Sequence, residues 1–255
     1  MSKLIPLLLQ GNNLSRVWSE GFLYLVDHPS TEMSPLVVSV TGFTDGEPYE
    51  DEELRTALDK SLEENGNGTV HTVANTIFPK SVWRFCQNDR QLFFQTYKEN
   101  IPRYKAWAST KNHRGMYFER LIDFGEGPHD GNQLDFIITE FNSRTGVRRS
   151  MLQASIFDPK RDHVRSAQLG FPCLQHVTFV PNDGGLIINA FYATQQIFEK
   201  AYGNYLGLCR LGHFMAHEMG LTLERMNCVI GVEKLDFGPK SKLSSLIEAA
   251  RKVVP

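Results

Sequence analysis

The residues of this 255-residue chain best suited to covalent chemistry are one cysteine and one amide. Cys173 follows Pro172 in the stretch Gly170-Phe171-Pro172-Cys173. About thirty residues later, Tyr202-Gly203-Asn204 enters Leu206-Gly-Leu-Cys-Arg-Leu-Gly-His213-Phe-Met-Ala216. A cysteine reacts as its thiolate, a soft nucleophile toward polarised carbon. A carboxamide sets a donor beside an acceptor, the pattern that reads a ring carrying N–H and C=O. Held on one concave sheet face, the two would attack and orient a flat polarised ring, which suggests nucleotide-base chemistry. Arg144, Arg148 and Arg149 form the one tight basic group. Two guanidiniums on a short loop suit bidentate contact with a single phosphate. Each residue also has a plain structural use: an inert buried thiol, a helix N-cap for Asn204, and a solvated turn for the arginines.

The elements that must position these groups can be read from periodicity and punctuation. Asn13 or Ser15 caps a helix from Arg16 to Val26 that ends at His28-Pro29. Pro35 to Phe43 alternates as a strand. Asp51 to Asn65 is an amphipathic helix with a Leu54, Leu58, Leu62 stripe. Ile77 to Trp107 is helical and aromatic-rich, broken at Pro79 and Pro102. Lys111 to Asp130 reads as loop, and Leu134 to Phe141 as helix. Strands follow at Met151 to Phe157, His176 to Pro181 and Leu186 to Tyr192, the last two joined by a turn at Asn182-Asp183-Gly184-Gly185. A helix from Asn204 to Met219 and a strand from Met226 to Leu235 complete the pattern. With no internal repeat, low-complexity segment or separating linker, one α+β domain over residues 1–255 is expected.

Composition narrows the class. The chain is 41% hydrophobic and 22% charged with a net charge of −2, which gives no reason to expect a nucleic acid polymer as partner. Cys86, Cys173, Cys209 and Cys228 include no Cys-x-x-Cys pair, a reducing-compartment pattern. The apolar run Leu4 to Leu9 is too short to span a bilayer, so a cytoplasmic protein without membrane partners is expected. His213 and His217 sit four apart on a helix with Glu218 beside them, but no further ligand offers itself, so no metal is expected. Trp83, Phe85, Phe93, Phe94, Tyr97, Tyr104 and Trp107 offer stacking surface but are more simply core. Gly125-Glu-Gly-Pro is a turn.

From Leu134 to Leu235 the chain resembles thymidylate synthase. That family has a helix, a Ser-Arg-Arg turn, a strand, a Pro-Cys active-site pair, an Asp-Gly hairpin, an Asn-led helix with His-x-x-Ala, and a last strand. Val147-Arg148-Arg149, Pro172-Cys173, Asp183-Gly184, Asn204 and His213-Phe-Met-Ala216 correspond here. Gly115-Met-Tyr117 is similar to the family's Gly-x-x-Tyr loop, while residues 1–110 match loosely. The resemblance implies a twisted mixed sheet flanked by helices, packed back-to-back in a homodimer. It implies Cys173 as nucleophile toward C6 of a pyrimidine nucleotide, uracil-type because Asn204 and not Asp reads the ring. It also implies methylenetetrahydrofolate as one-carbon donor, Arg148 and Arg149 reaching the partner's nucleotide phosphate, and Arg149 or its copy as the cation beside the thiolate.

Departures from the pattern alter that expectation. Ala193 stands in place of the family's other phosphate arginine, Thr194 of its serine and Gln196 of its folate-site Asp. Leu174 replaces the histidine after the cysteine, and Lys234-Leu235-Asp236 replaces the sugar-holding His-x-Tyr. Asn75-Thr76-Ile77 occupies the place of the early proton-moving Glu. A missing general acid–base forfeits about 10²–10⁴ in rate. The expected activity is therefore a pyrimidine C5 one-carbon transfer, methyl or hydroxymethyl, with altered substrate or donor. The alternative is a catalytically lapsed nucleotide-binding or partner-organising dimer.

Overall fold

The computed structural model describes residues 5–107, 115–165, 172–235 and 237–254. Gly170, Phe171, Asp236 and residues 111–114 of the expected loop lie outside these. The architecture is α+β, a mixed sheet flanked by helices. Strands β1 (Leu7–Gly11), β3 (Leu36–Val40), β9 (Thr222–Lys234), β8 (Gly185–Gln196), β7 (Leu174–Asn182) and β6 (Gln153–Ser155) are neighbours in that order, and β2 (Glu32–Met33) also pairs with β9. The β1–β3 and β8–β9 pairs are parallel and the others antiparallel. A two-stranded hairpin, β4 (Phe43–Thr44) and β5 (Glu47–Pro48), stands apart.

Helix α1 (Leu14–Asp27) is capped by Asn13, whose side chain accepts the Arg16 N–H at 3.1 Å. Ser15, the other cap candidate, instead accepts the Asp51 N–H at 2.7 Å and meets the Tyr202 hydroxyl at 2.7 Å. Asp51 caps α2 (Glu52–Glu64), which buries Leu54, Leu58 and Leu62 as its stripe requires. Helices α3 (Val70–Ile77) and α4 (Lys80–Phe85) part at Pro79. Pro102, however, lies inside α5 (Arg90–Trp107). It is exposed and near the helix end, where losing one ladder bond is tolerated.

Further corrections concern short elements. Part of the expected loop is helix α6 (Tyr117–Ile122), which buries Phe118, Leu121 and Ile122 and starts where Glu119 accepts the Met116 N–H. β1 and the last helix, α10 (Ser244–Val253), had no sequence reading of their own. One is a short apolar run made a strand by pairing with β3; the other buries Leu246 and Ala250. Helices α7 (Gln133–Ser143) and α8 (Pro159–Asp162) flank β6.

Helix α9 (Tyr202–Glu218) follows a π-helical turn, Ile197–Ala201, and packs against β8, β9 and α3. Its approach to α3 needs Gly203, where a β-carbon would sit 2.5 Å from Val73 Cβ. On the opposite sheet face, Leu8, Val37, Val229 and Phe191 are successive cross-strand partners from β1 to β8. Leu8 is 63% exposed, Phe191 43% and Val229 39%, so this apolar row stays open to solvent. Among the described residues, no helix is long and apolar enough to cross a membrane.

Candidate functional site

Cys173 stands immediately before β7. It is half-buried, whereas Cys86, Cys209 and Cys228 are buried. Its carbonyl accepts the Ala193 N–H at 3.0 Å, and the Gln175 side chain donates to the carbonyls of Pro172 (2.7 Å) and Cys173 (3.2 Å). The reactive side chain is therefore the free part of a clamped turn. Tyr117, at the start of α6, turns its hydroxyl toward the main-chain N–H groups of Cys173 and Leu174. Its ring stands edge-on to that of Tyr192, with centroids 6.4 Å apart. The structure thus brings Cys173 and Tyr117 together.

Burial pushes the Cys173 thiol above its ordinary value, and no cation among the described residues opposes that push. The expected positive neighbour is not found among the described residues of one chain. Arg148 and Arg149 lie at the short helical turn Arg149–Met151, exposed and without an ion pair among the described residues. The loop places them on the surface because no described carboxylate draws them in.

Asn204 is 4% exposed and sits in the first turn of α9. It is not a cap: the helix runs on from the π-helical turn through Ala201, and the Asn204 amide has no partner among the described residues. That makes the amide a donor and acceptor available to something else. Thr194 is half-buried opposite Val232, and Gln196 already has a partner. Leu174, at the position of the family's histidine, is fully buried opposite Tyr192.

Four further groups escaped the sequence reading. Gln195 (3% exposed) and Glu233 (0%) are direct cross-strand partners on β8 and β9. Both amide atoms of Gln195, both carboxylate oxygens of Glu233, and the hydroxyls of Tyr192 and Tyr205 are buried without a hydrogen-bond partner. The Tyr205 hydroxyl and the Lys234 main-chain amide lie beside the Glu233 carboxylate, short of hydrogen-bonding geometry. Burial pushes the Glu233 carboxyl well above its ordinary value. The available signal was Glu233 inside the Met226 to Leu235 strand, whereas Gln195 lies beyond the Leu186 to Tyr192 strand read from the sequence.

Other candidates resolve simply. Phe78, Trp83, Phe93, Phe118 and Phe214 interlock as core through edge-on and tilted ring contacts, while Phe85 and Trp107 are exposed. Burial lowers the affinity of His213 for a proton, and His217 contacts Glu218 at 3.1 Å. Among the described residues no His, Cys, Asp and Glu group is arranged to hold a metal. A cavity of about 240 Å³ includes Glu47, Lys80, Trp83, Arg210 and His213 in its lining. Its charges are largely spent on one another, since Glu47 pairs with Lys80 at 2.5 Å and Arg210 at 3.2 Å.

The geometry defines an α+β protein with a half-buried thiol at the start of a strand, beside Tyr117 and Tyr192. No protein-family profile matches the chain. A protein of Methanocaldococcus jannaschii named "Putative thymidylate synthase" is 29% identical over 107 residues. The match covers 41% of this chain and 47% of that protein, so the chain spans about half the length of this relative. Over that part the chain is similar to a thymidylate synthase-like protein.

Proposed function

We propose that this chain is a thymidylate synthase-like transferase that activates a uracil-type nucleotide through Cys173 and delivers a one-carbon unit to C5. The observation that supports it most is the contrast among the cysteines. Three are sealed, and the one in the Pro-Cys pair is accessible beside Tyr117. In the proposed step the sulfur bonds to C6 and the C5–C6 π electrons move toward the C4 carbonyl. C5 thereby becomes enolate-like and nucleophilic. Asn204 would read the ring edge, and Thr194 and Gln196 would line the nucleotide from β8.

The proposal includes a single domain and a homodimer packed through the open sheet face. Burying Leu8, Val229 and Phe191 against a second copy would gain roughly 25 cal/mol per Å² of apolar surface. It would also let Arg148 and Arg149 reach the partner's nucleotide phosphate and lower the Cys173 thiol across the interface.

The donor side fits methylenetetrahydrofolate poorly. Gln196, in place of the folate-site Asp, is already engaged. The proposed enzyme therefore takes its carbon from a donor held differently.

A second reading, a lapsed nucleotide-binding dimer, is favoured by the lack of a cation near Cys173 among the described residues of one chain. Incubation with 5-fluoropyrimidine nucleotides, with and without methylenetetrahydrofolate, followed by intact-mass measurement separates the two. The transferase reading expects an adduct in the native protein and none in Cys173→Ser. Binding without any adduct would leave the sensor in its place.

A further inference from the structure

We propose that the cavity between the β4–β5 hairpin, α4 and α9 is a second ligand site, one that takes the phosphate group of a small phosphomonoester or inorganic phosphate. None of the residues lining it belongs to the Cys173 site. Arg210 stands six residues beyond Asn204 on α9, which is about 9 Å along the helix axis and about 120° around it. The two side chains therefore serve different faces of one helix.

Arg210 anchors the cavity. It is 6% exposed, and its Nε donates to both Glu47 oxygens, at 3.3 and 3.2 Å. Its Nη2 meets His71 Nδ1 at 3.2 Å. A guanidinium can only donate, so that ring nitrogen is the acceptor. Nη1 has no partner among the described residues. Buried polar groups are rarely left so, and a free guanidinium end at a cavity wall points to an acceptor from outside the chain. Lys80 holds Glu47 Oε1 at 2.5 Å and keeps donors to spare, since an ammonium carries three. Arg84, exposed at the rim, has no side-chain partner among the described residues, and neither has half-buried His213. Gly46, at φ +76°, pins the His213 ring, because a β-carbon there would sit 2.0 Å from His213 Cγ.

Charge sets the sign of the ligand. Glu47 is one carboxylate between two cations, so their pairing leaves a positive surplus. Arg84 adds to it, and among the lining residues exposed Asp45 alone subtracts. Size sets its class. About 240 Å³ falls below the roughly 300–1,000 Å³ of pockets for drug-sized ligands, leaving room for a phosphate with few attached carbons. The donors come from two elements, α4 and α9, which suits tetrahedral phosphate oxygens better than a planar carboxylate. Trp83 and Phe214, edge-on with centroids 4.9 Å apart, give the carbons an apolar wall.

Isothermal titration calorimetry of the full chain tests this, with inorganic phosphate, glycerol 3-phosphate and acetate as probes. Neutral pH and a constant salt of about 0.15 M hold general screening equal among them. The native protein is expected to bind a phosphate probe more tightly than acetate. Arg84→Gln should weaken that binding by about tenfold, the loss of one charged hydrogen bond. Being exposed and unpaired, Arg84 can be replaced without disturbing the fold. Lys80→Gln should weaken binding similarly, and Arg210 still holds Glu47 in that variant, whose folding thermal denaturation verifies. Tighter binding of glycerol 3-phosphate would assign the site to a phosphomonoester, and tighter binding of inorganic phosphate to the free ion. No phosphate binding by the native protein, equal binding of acetate, or native affinity in both folded variants overturns the proposal. The readout involves neither Cys173 nor a nucleotide, so its failure and that of the transferase reading are separate results.

Discussion

Gly231 of β9 lies so close to Ala193 of β8 that a β-carbon there would sit 2.7 Å from the Ala193 carbonyl oxygen. At this level the in–out alternation of both strands ends. Phe191 and Ala193 on β8 and Val229 on β9 are exposed, yet Gln195 and Glu233, two and four residues on, are buried. The contact between two small residues is what brings polar side chains inside. Gly231→Ala must push two backbones apart. It is expected to cost about 1–3 kcal/mol, as overpacking does, measured as a lowered urea midpoint with an unchanged slope. An unchanged midpoint would show that the strands can separate freely.

Arg120 and Asp162 form a buried pair that braces the chain ahead of Cys173. The Arg120 guanidinium donates to both Asp162 oxygens, at 2.5 and 2.8 Å, and to the Ile156 carbonyl at 3.0 Å. Removing one partner strands a charge in the interior. Asp162→Ala should therefore cost about 3–5 kcal/mol, while Arg120→Met with Asp162→Leu should cost much less. Thermal denaturation of the three variants decides this. Equal losses for single and double variants would mean that packing, not charge, dominates there.

Glu47 predicts an acid limb in the stability curve. Burial alone would push its carboxyl up, but Lys80 and Arg210 outweigh burial and hold it below its ordinary value of 4.5. A depressed folded-state carboxyl adds stability above the unfolded value and loses it as pH falls through the folded one. The native protein should thus lose its advantage over Glu47→Gln as pH drops below about 4.5. Parallel stability curves for the two proteins between neutral and acid pH would contradict this.

The open row Leu8, Val37, Val229 and Phe191 predicts association. A charge at its centre meets its own copy across a two-fold axis, so Val229→Lys should shift the protein from dimer to monomer. Sedimentation velocity reads the result. A native monomer at micromolar concentration would remove the sheet face from consideration.

Cross-subunit sharing gives a sharper outcome. If Arg149 serves the partner's pocket, mixing Arg149→Ala with Cys173→Ser protein restores one intact site per heterodimer. About a quarter of the native adduct yield is expected from random assortment of equal amounts, on the symmetry of a two-fold interface. No recovery after subunit exchange would place Arg149 outside the site.

The sequence by itself determined the periodic elements and the reactive residue types. The Leu54, Leu58, Leu62 stripe, the Asn13 cap (one of two candidates), the Asp183-Gly184 turn and the Pro172-Cys173 pair all act through neighbours a few residues away. Local spacing encodes such contacts. The tertiary structure decided which polar residues lie inside. Thr194 and Gln196 were singled out on β8, yet Gln195 between them is the one buried and unpaired. Its partner Glu233 lies 38 residues away on another strand (233 minus 195). The close Gly231–Ala193 contact and the burial of Tyr205 against Glu233 exist only once β8, β9 and α9 have met. Strand pairing joins residues by register rather than by sequence distance, and no window along the chain contains that register.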